Sequence, residues 1–427
     1  MTAAEEMPAP DRHGAFRRLA PFFAAIYFVQ GIAEPSAGIG SQPLFYLLKE
    51  RLGLGPADAA TFMAIVGVAW TVKPLYGVAS DCFPLFGTRR RSYLLCTTAL
   101  AAATWFFLGI QPVHTYGPTL VVLVFCGLGL AFSDVLCDAV MVETGKPLGM
   151  TGRFQSVQWG AMNAASVLAG IGGGWLSRDV SPQHTFLLIS AFPALSLITT
   201  AVTLREPRAR FDKEVLRSTG RAIWSAVGSR PLWLAAGFIF LWNFSPSFGV
   251  PLNYYMVDTL QFSKISLGTL GSLGAGASIA GAFLFGRYCR RLSIRPLLNV
   301  SVAIGVVGTL AYWGLVGWWS AVFLTVVTGA STMIAVLATL DLAARSCPDR
   351  AEGTFFAALM SINNLAAILS AYVGGKLYEV VGLQKLILIS AAATAVCWLL
   401  VPFIRLPEVA EGEGMPSRAE DAIVASP

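Results

Sequence analysis

Apolar and polar positions are not interleaved evenly along the chain. They separate into long apolar runs joined by short polar connections. The runs are continuously apolar and rich in Leu, Ala, Val and Gly. Barrel strands would alternate over about 10 residues, so the runs read as helices. A run of roughly 20 such residues crosses a bilayer as a helix. Only helices and closed barrels satisfy every backbone N–H and C=O in that medium. Twelve spans are expected, at 21–43, 58–80, 92–111, 117–142, 153–177, 184–204, 231–256, 265–287, 295–316, 318–342, 353–377 and 382–404. Trp313, Trp318 and Trp319 mark an aromatic interface at the very short turn before the tenth.

The longest polar connection, 205–230, divides the spans six and six. The halves also resemble each other. At a constant offset of 201, Gly152, Phe154, Asn163, Ala165, Leu168, Gly173, Gly174 and Leu176 meet identical residues in the eleventh span, among them Asn364 and Gly374-Gly375. That is eight identities in 25 ungapped positions, at the same place in each half. The expected organisation is a tail (1–20), a six-helix bundle (21–204), a central loop (205–230), a second bundle (231–404) and a tail (405–427). The fold class is all-α integral membrane, with the bundles related by a parallel repeat. Parallel halves of this kind place their site between them, near the midplane.

Composition agrees. Of 427 residues, 55% are hydrophobic and 13% charged, against about 25% charged in soluble globular chains. The net charge of +6 raises the question of nucleic acid, but topology accounts for it. Of the 30 Lys and Arg residues, Lys73 lies inside a span and Lys49, Arg51, Arg178, Lys264, Lys376 and Lys385 fall on one side. The other 23 fall on the opposite side. This bias places the Arg-rich face and both termini in the cytoplasm and leaves no need for a nucleic-acid partner. Seven scattered cysteines and three histidines show no metal or disulfide spacing. No metal and no cofactor are expected. The opening residues do not resemble a cleaved signal peptide; the short N-terminal tail and the absence of a transit peptide favour a bacterial inner membrane.

Between spans 2 and 3 the chain reads Gly77-Val-Ala-Ser-Asp81, then Gly87-Thr-Arg89-Arg90-Arg91. This resembles the cytoplasmic signature of the major facilitator superfamily. Gly77 permits close helix approach, and Asp81 ends a span where cations reach it. The matching place in the second half, Gly286-Arg287-Tyr-Cys-Arg290-Arg291, keeps the basic residues without the acid. A wider block adds Tyr27-Phe-Val-Gln30-Gly31, Trp70-Thr-Val-Lys73-Pro-Leu-Tyr-Gly77, Arg89-Arg-Arg-Ser-Tyr93 and Ser133-Asp134-Val-Leu-Cys-Asp138-Ala-Val-Met-Val-Glu143. Over about residues 25–160 the chain resembles the folate–biopterin transporter family within that superfamily. The second half fits mainly by its spans. The resemblance implies uptake of folates or related pterins, often driven by protons.

Ionisable groups inside a bilayer cost several kcal/mol and usually face the bundle interior. Glu34, beside the helix-breaking Pro35, is a candidate for substrate contact or proton carriage; the alternative is a buried neutral carboxyl. Lys73 suits an anionic substrate, or else a structural pair with Asp134 or Asp138. Asp134 and Asp138 are four residues apart and share a helix face. Crowding and burial both favour holding a proton, and Asp134, the deeper, is the proton-coupling candidate with Glu34. Asp81, Arg89, Arg90, Arg91, Asp138, Glu143 and Arg153 are expected to form a cytoplasmic gate. Gln30, Gln158, Asn163, Asn243 and Asn364 join Glu34 and Lys73 as substrate-binding candidates, although amides between helices are commonly structural. Asn253, Tyr254 and Asp341 are weaker candidates.

The expected function is secondary transport of a folate, pterin or related small organic anion by alternating access, coupled to protons. A transporter for another solute, or a non-transporting receptor or assembly factor on the same fold, are the alternatives. No zinc-ligand pair, nucleophile with a positioned base or cofactor motif points to an enzyme.

Overall fold

The computed structural model describes residues 12–211, 229–289, 292–347 and 352–404. Most of the central loop, the tail 405–427, and Arg290, Arg291 and Arg350 lie outside the described residues. The first half comprises α1 (Arg12–Ala33), α2 (Ser41–Tyr46), α3 (Pro56–Val66), α4 (Lys73–Cys82), α5 (Arg91–Ile110), α6 (Tyr116–Leu148), α7 (Thr151–Asp179) and α8 (Pro182–Thr203). The second comprises α9 (Arg230–Asn243), α10 (Gly249–Asp258), α11 (Lys264–Leu284), α12 (Ile294–Ala311), α13 (Trp318–Ser346) and α14 (Glu352–Ala395). Among the described residues, eight helical stretches are long and apolar enough to cross a membrane by themselves. Every expected span coincides with a helix or a pair of helices. The chain is a multi-pass α-helical membrane protein.

Three departures from unbroken spans matter. α14 covers the last two expected spans, which Gly382 divides at φ 74° and ψ 173°, a conformation essentially reserved for glycine. The first span breaks at 34–40, where Pro35 cannot continue the ladder of α1. There the Gly38 N–H donates to the Glu34 carbonyl at 2.7 Å and the Ile39 N–H to the Ile32 carbonyl at 2.9 Å. The seventh span, expected to run unbroken over 231–256, opens at 244–248 around Ser245-Pro246-Ser247. Backbone freed inside a membrane must find partners within the protein, and α14 supplies them. The Ser247 N–H donates to the Ser370 carbonyl at 3.1 Å, and the Ser370 hydroxyl donates to the Ser245 carbonyl. α1 itself starts at Arg12, inside the expected tail 1–20.

Within the first half, α5 packs on α6 and α8, and α1 on α7 and α8. In the second, α11 and α12 pack on α13, and α9 on α14. Between the halves, α7 meets α11 and α3 meets α14. Glycine permits the α7–α11 contact. A Cβ on Gly268 would sit 2.4 Å from the Gly170 carbonyl oxygen, and one on Gly170 would sit 2.3 Å from the Ser272 nitrogen. The Ser272 hydroxyl fills the seam, donating to the Val167 carbonyl at 2.5 Å and accepting from the Ile171 N–H at 2.8 Å.

This seam makes a direct prediction. Gly268→Val overpacks it and costs about 1–3 kcal/mol, read as a lower melting temperature in detergent. Gly276→Val, on the same helix with no atom within 4 Å of the added Cβ, leaves melting unchanged.

Candidate functional site

The charged cluster inside the first half joins three helices. α4 carries Lys73, whose Nζ donates to Asp134 Oδ2 at 2.6 Å and lies 4.7 Å from the centroid of the Trp70 ring. α1 carries Gln30, whose Nε2 donates to Asp134 Oδ1 at 2.9 Å. One turn back on α1, the Tyr27 hydroxyl donates to Asp138. Glu34 closes the row at the break in span 1. Its Oε1 accepts from the Ser36 hydroxyl at 2.8 Å, while its Oε2 and the Gln30 Oε1 are buried without a partner. Lys73 makes its ion pair with Asp134, and among the described residues no ion pair reaches Asp138 or Glu34. The cluster thus holds one ion-paired carboxyl and two whose hydrogen bonds come from neutral groups.

At the Arg-rich end a second cluster forms around Arg90. Its guanidinium donates to Asp81, to Glu143 at 2.7 Å and to the Ser80 hydroxyl at 2.5 Å. The guanidinium is buried and its two acids are half-exposed. Arg89 and Arg91 are held differently. The backbone N–H groups of Arg89, Arg90 and Arg91 all donate to the Glu206 carboxylate, at 2.9, 2.9 and 2.8 Å. Glu206 thus binds the amide-rich start of α5, where a helix favours negative charge. The Arg91 side chain reaches the Ala201 carbonyl at 3.2 Å, and Arg89 Nε is buried without a partner. Arg153 lies over the Phe16 ring. Asp138, expected in this gate, sits instead in the inner cluster on Tyr27.

On the opposite face, residues from the two halves meet in ion pairs. Lys49 pairs with Asp258 at 2.7 Å, Lys264 with Glu50 at 2.8 Å and Lys376 with Asp58 at 3.5 Å. The Tyr254 hydroxyl donates to the Leu54 carbonyl at 2.6 Å, and Gln42 Nε2 to the Lys264 carbonyl at 2.6 Å. Lys49 also lies over the Tyr254 ring and Lys264 over the Tyr46 ring. Among the described residues, no ion pair or hydrogen bond joins the halves at the Arg-rich end. Near the middle, Asn364 Nδ2 crosses to the Trp70 carbonyl at 2.8 Å.

Between the halves lies a cavity of about 660 Å³. Ser36, Ser41, Gln42 and Phe45 line it from the broken first span, and Val250, Asn253 and Met256 from the broken seventh. Interrupted helices at matching places in two halves point to a binding site. No charged side chain lines it. Of the sequence candidates, the weakly ranked Asn253 faces this cavity, whereas the others are engaged elsewhere. Gln158 is buried with its Nε2 at 3.9 Å from Cys137 Sγ, and Asn163 bonds the Trp159 carbonyl of its own helix at 2.9 Å. Asn243 bonds Asn363 Oδ1 at 2.8 Å. Sequence reasoning missed Glu206, Trp70 and the acids Glu50, Asp58 and Asp258. The only trace of the last three was the scarcity of charge on that face.

The family model described as the BT1 family matches residues 30–387. The chain belongs to the BT1 family. This BT1-family protein is 30% identical over 378 residues to a folate-biopterin transporter of Synechocystis, covering 84% of this chain and 75% of that one. It is 26% identical over 348 residues to folate transporter 1 of Plasmodium falciparum, covering 78% and 68%. Among solved structures it resembles the nucleoside transporter NupG, with a TM-score of 0.66 at 14% identity over 90% of this chain and 98% of that one. A D-xylose–proton symporter gives 0.67 at 14% identity, covering 91% and 98%. The fold is therefore that of the major facilitator transporters.

The Lys73–Asp134 pair carries a stability prediction. Lys73→Met leaves Asp134 buried and uncompensated, a loss of about 3–5 kcal/mol. Adding Asp134→Asn restores most of it. Thermal melting of the purified single and double variants at neutral pH checks the sign and the rescue.

Proposed function

We propose that this BT1-family protein is a secondary transporter that carries a folate, a pterin or a related small organic anion by alternating access, with protons as the coupling ion. The observation that carries the reading is the one-sided closure. Three ion pairs tie the halves together on one face, and a cavity lies between them. This is the form expected of a transporter closed on that face and loaded from the Arg-rich side. The positive-inside bias assigns that side to the cytoplasm, with both termini there and a bacterial inner membrane as the location. The bundles 21–204 and 231–404 then rock as bodies, linked by 205–230. The names of the relatives support the substrate class.

The inner cluster supplies a coupling device. With Asp134 on Lys73 and Gln30, the carboxyls of Asp138 and Glu34 are the groups left to take up and release a proton. Asp138 holds the Tyr27 hydroxyl of α1, so its protonation changes the bond between α1 and α6. Opening the other side requires the far-side ion pairs to separate and the Arg90 cluster to approach the second half.

Proteoliposome flux tests this directly. Folic acid or biopterin is expected to accumulate against its gradient when the outside is made acidic. Asp138→Asn is expected to abolish proton-driven accumulation while keeping exchange of labelled for unlabelled solute. Accumulation that survives both Asp138→Asn and Glu34→Gln would remove the coupling claim. No flux of any folate, pterin, nucleoside or amino acid would favour a non-transporting receptor on this fold.

A further inference from the structure

Beside the central cavity, the second half encloses a chamber of about 290 Å³ between α9, α12, α13 and the end of α14. Tyr312, Thr328 and Thr332 line both spaces, so the two are adjacent. Three aromatic rings border the chamber: Trp242, Phe248 and Tyr312. Trp242 lies parallel to Phe238, with an interplanar angle of 7° and centroids 6.4 Å apart. The edge of its six-membered ring also abuts α12, because a Cβ on Gly305 would come within 2.7 Å of it. Phe248 and Tyr312 meet edge to face at 5.3 Å. One wall therefore carries an aromatic ring held in place by its neighbours.

The rest of the lining is uncharged, with six hydroxyl side chains (Ser245, Thr309, Thr328, Ser331, Thr332 and Thr394) beside Ile304, Ala335 and two glycines. Thr328 and Ser245 are occupied, the first by Tyr312 and the Leu324 carbonyl, the second by Ser390 and Thr394. The hydroxyls of Thr309, Ser331 and Thr332 and the indole N–H of Trp242 have no hydrogen-bond partner among the described residues. Polar groups turned to a space inside a membrane protein, rather than to their own helix, are costly unless something bonds them. A chamber of this size is at the lower end of small-molecule sites, enough for a fused ring but not for a long conjugate. Flat aromatic walls prefer offset or edge contacts with another π-system, and scattered hydroxyls suit a ring edged with both donors and acceptors.

We propose that this chamber receives the flat, uncharged heteroaromatic end of the solute, a pterin-type ring, while the central cavity takes the remainder of the molecule. The assignment rests on the folate and pterin reading of the protein. It places ring recognition in the second half, away from the charged cluster of the first. Selectivity for the ring and coupling to protons are then properties of different halves.

Binding of biopterin and folic acid to the purified full-length protein, measured by calorimetry, tests it. A Cβ on Gly308 lies 3.8 Å from Thr328 Cγ2, ordinary contact, so Gly308→Val fills the chamber without displacing a neighbour. It is expected to weaken both ligands by at least about tenfold, the scale of a pocket changed by a methylene or more. Thr332→Val, which keeps shape and removes one free hydroxyl, is expected to weaken both by a smaller factor. An unchanged melting temperature without ligand confirms that both variants fold. Wild-type protein that binds both ligands, with Gly308→Val binding them equally well, overturns the chamber assignment alone. Loss of folic acid with biopterin unchanged would place the other end of the solute here and overturn it too. Wild-type protein that binds neither ligand overturns the substrate reading and this assignment together.

Discussion

A bilayer tolerates a buried charge only when it is matched, and in this protein one ammonium–carboxylate pair joins the helices of the first half. Lys73 spends its short contact on Asp134 at 2.6 Å, and Gln30 takes the other oxygen of that carboxylate. α1, α4 and α6 are thereby fastened at one point. Asp138 and Glu34 are left with neutral partners, a tyrosine and a serine. Removing one member of such a pair leaves an uncompensated buried charge, which costs more than the pair contributes. The Lys73–Asp134 pair therefore fixes three helices, and two further carboxyls sit beside it on neutral partners.

The break in span 1 follows from the same place. Pro35 ends α1 directly after Glu34, and the chain turns through 36–40 before α2 resumes. Span 7 breaks at the corresponding point of the second half, directly after Asn243. The halves differ in what they put there: a carboxyl in the first, an amide bonded to Asn363 in the second. The first break feeds Ser36 and Ala37 into the central cavity, and the second feeds Ser245 and Phe248 into the chamber beside it. The first half concentrates ionisable groups, and the second concentrates hydroxyls, amides and aromatic faces. The two are held by ion pairs at one rim and by the glycine seam of α7 and α11 below it. Exposed pairs contribute only about 0–1 kcal/mol each, so this closure is of a kind that can open.

The spans were legible because hydropathy over a helix length is a strong local signal, and the lysine and arginine bias is a sum over the whole chain. The Asp134–Lys73 pairing was legible as one of two alternatives, since both residues sit at span interiors. Asp138 was expected at the gate from its spacing to Glu143. Its partner, Tyr27, is 111 positions away in sequence, and helix rotation decides which residue it meets. The far-side pairs were hidden for the same reason: Lys49 and Asp258 are separated by 209 positions and belong to different halves. In the sequence Glu206 stands beside Arg205 and Arg208, with nothing local to single it out. Only the fold brings it to the start of α5. The amide candidates show the reverse case, where residue type alone promised ligand contact and Asn163 settled on its own helix.

Alternating access is tested most directly by pulsed electron paramagnetic resonance distances across the two faces of one reconstituted protein. One label pair would replace Arg51 and Thr259, beside the far-side ion pairs. The other would replace Lys146 and Ala344, at the ends of α6 and α13 on the Arg-rich face. Acidification or solute is predicted to lengthen the first distance and shorten the second in the same sample. If both distances stay fixed, or both move the same way, under every condition that supports binding, the two-faced mechanism is contradicted.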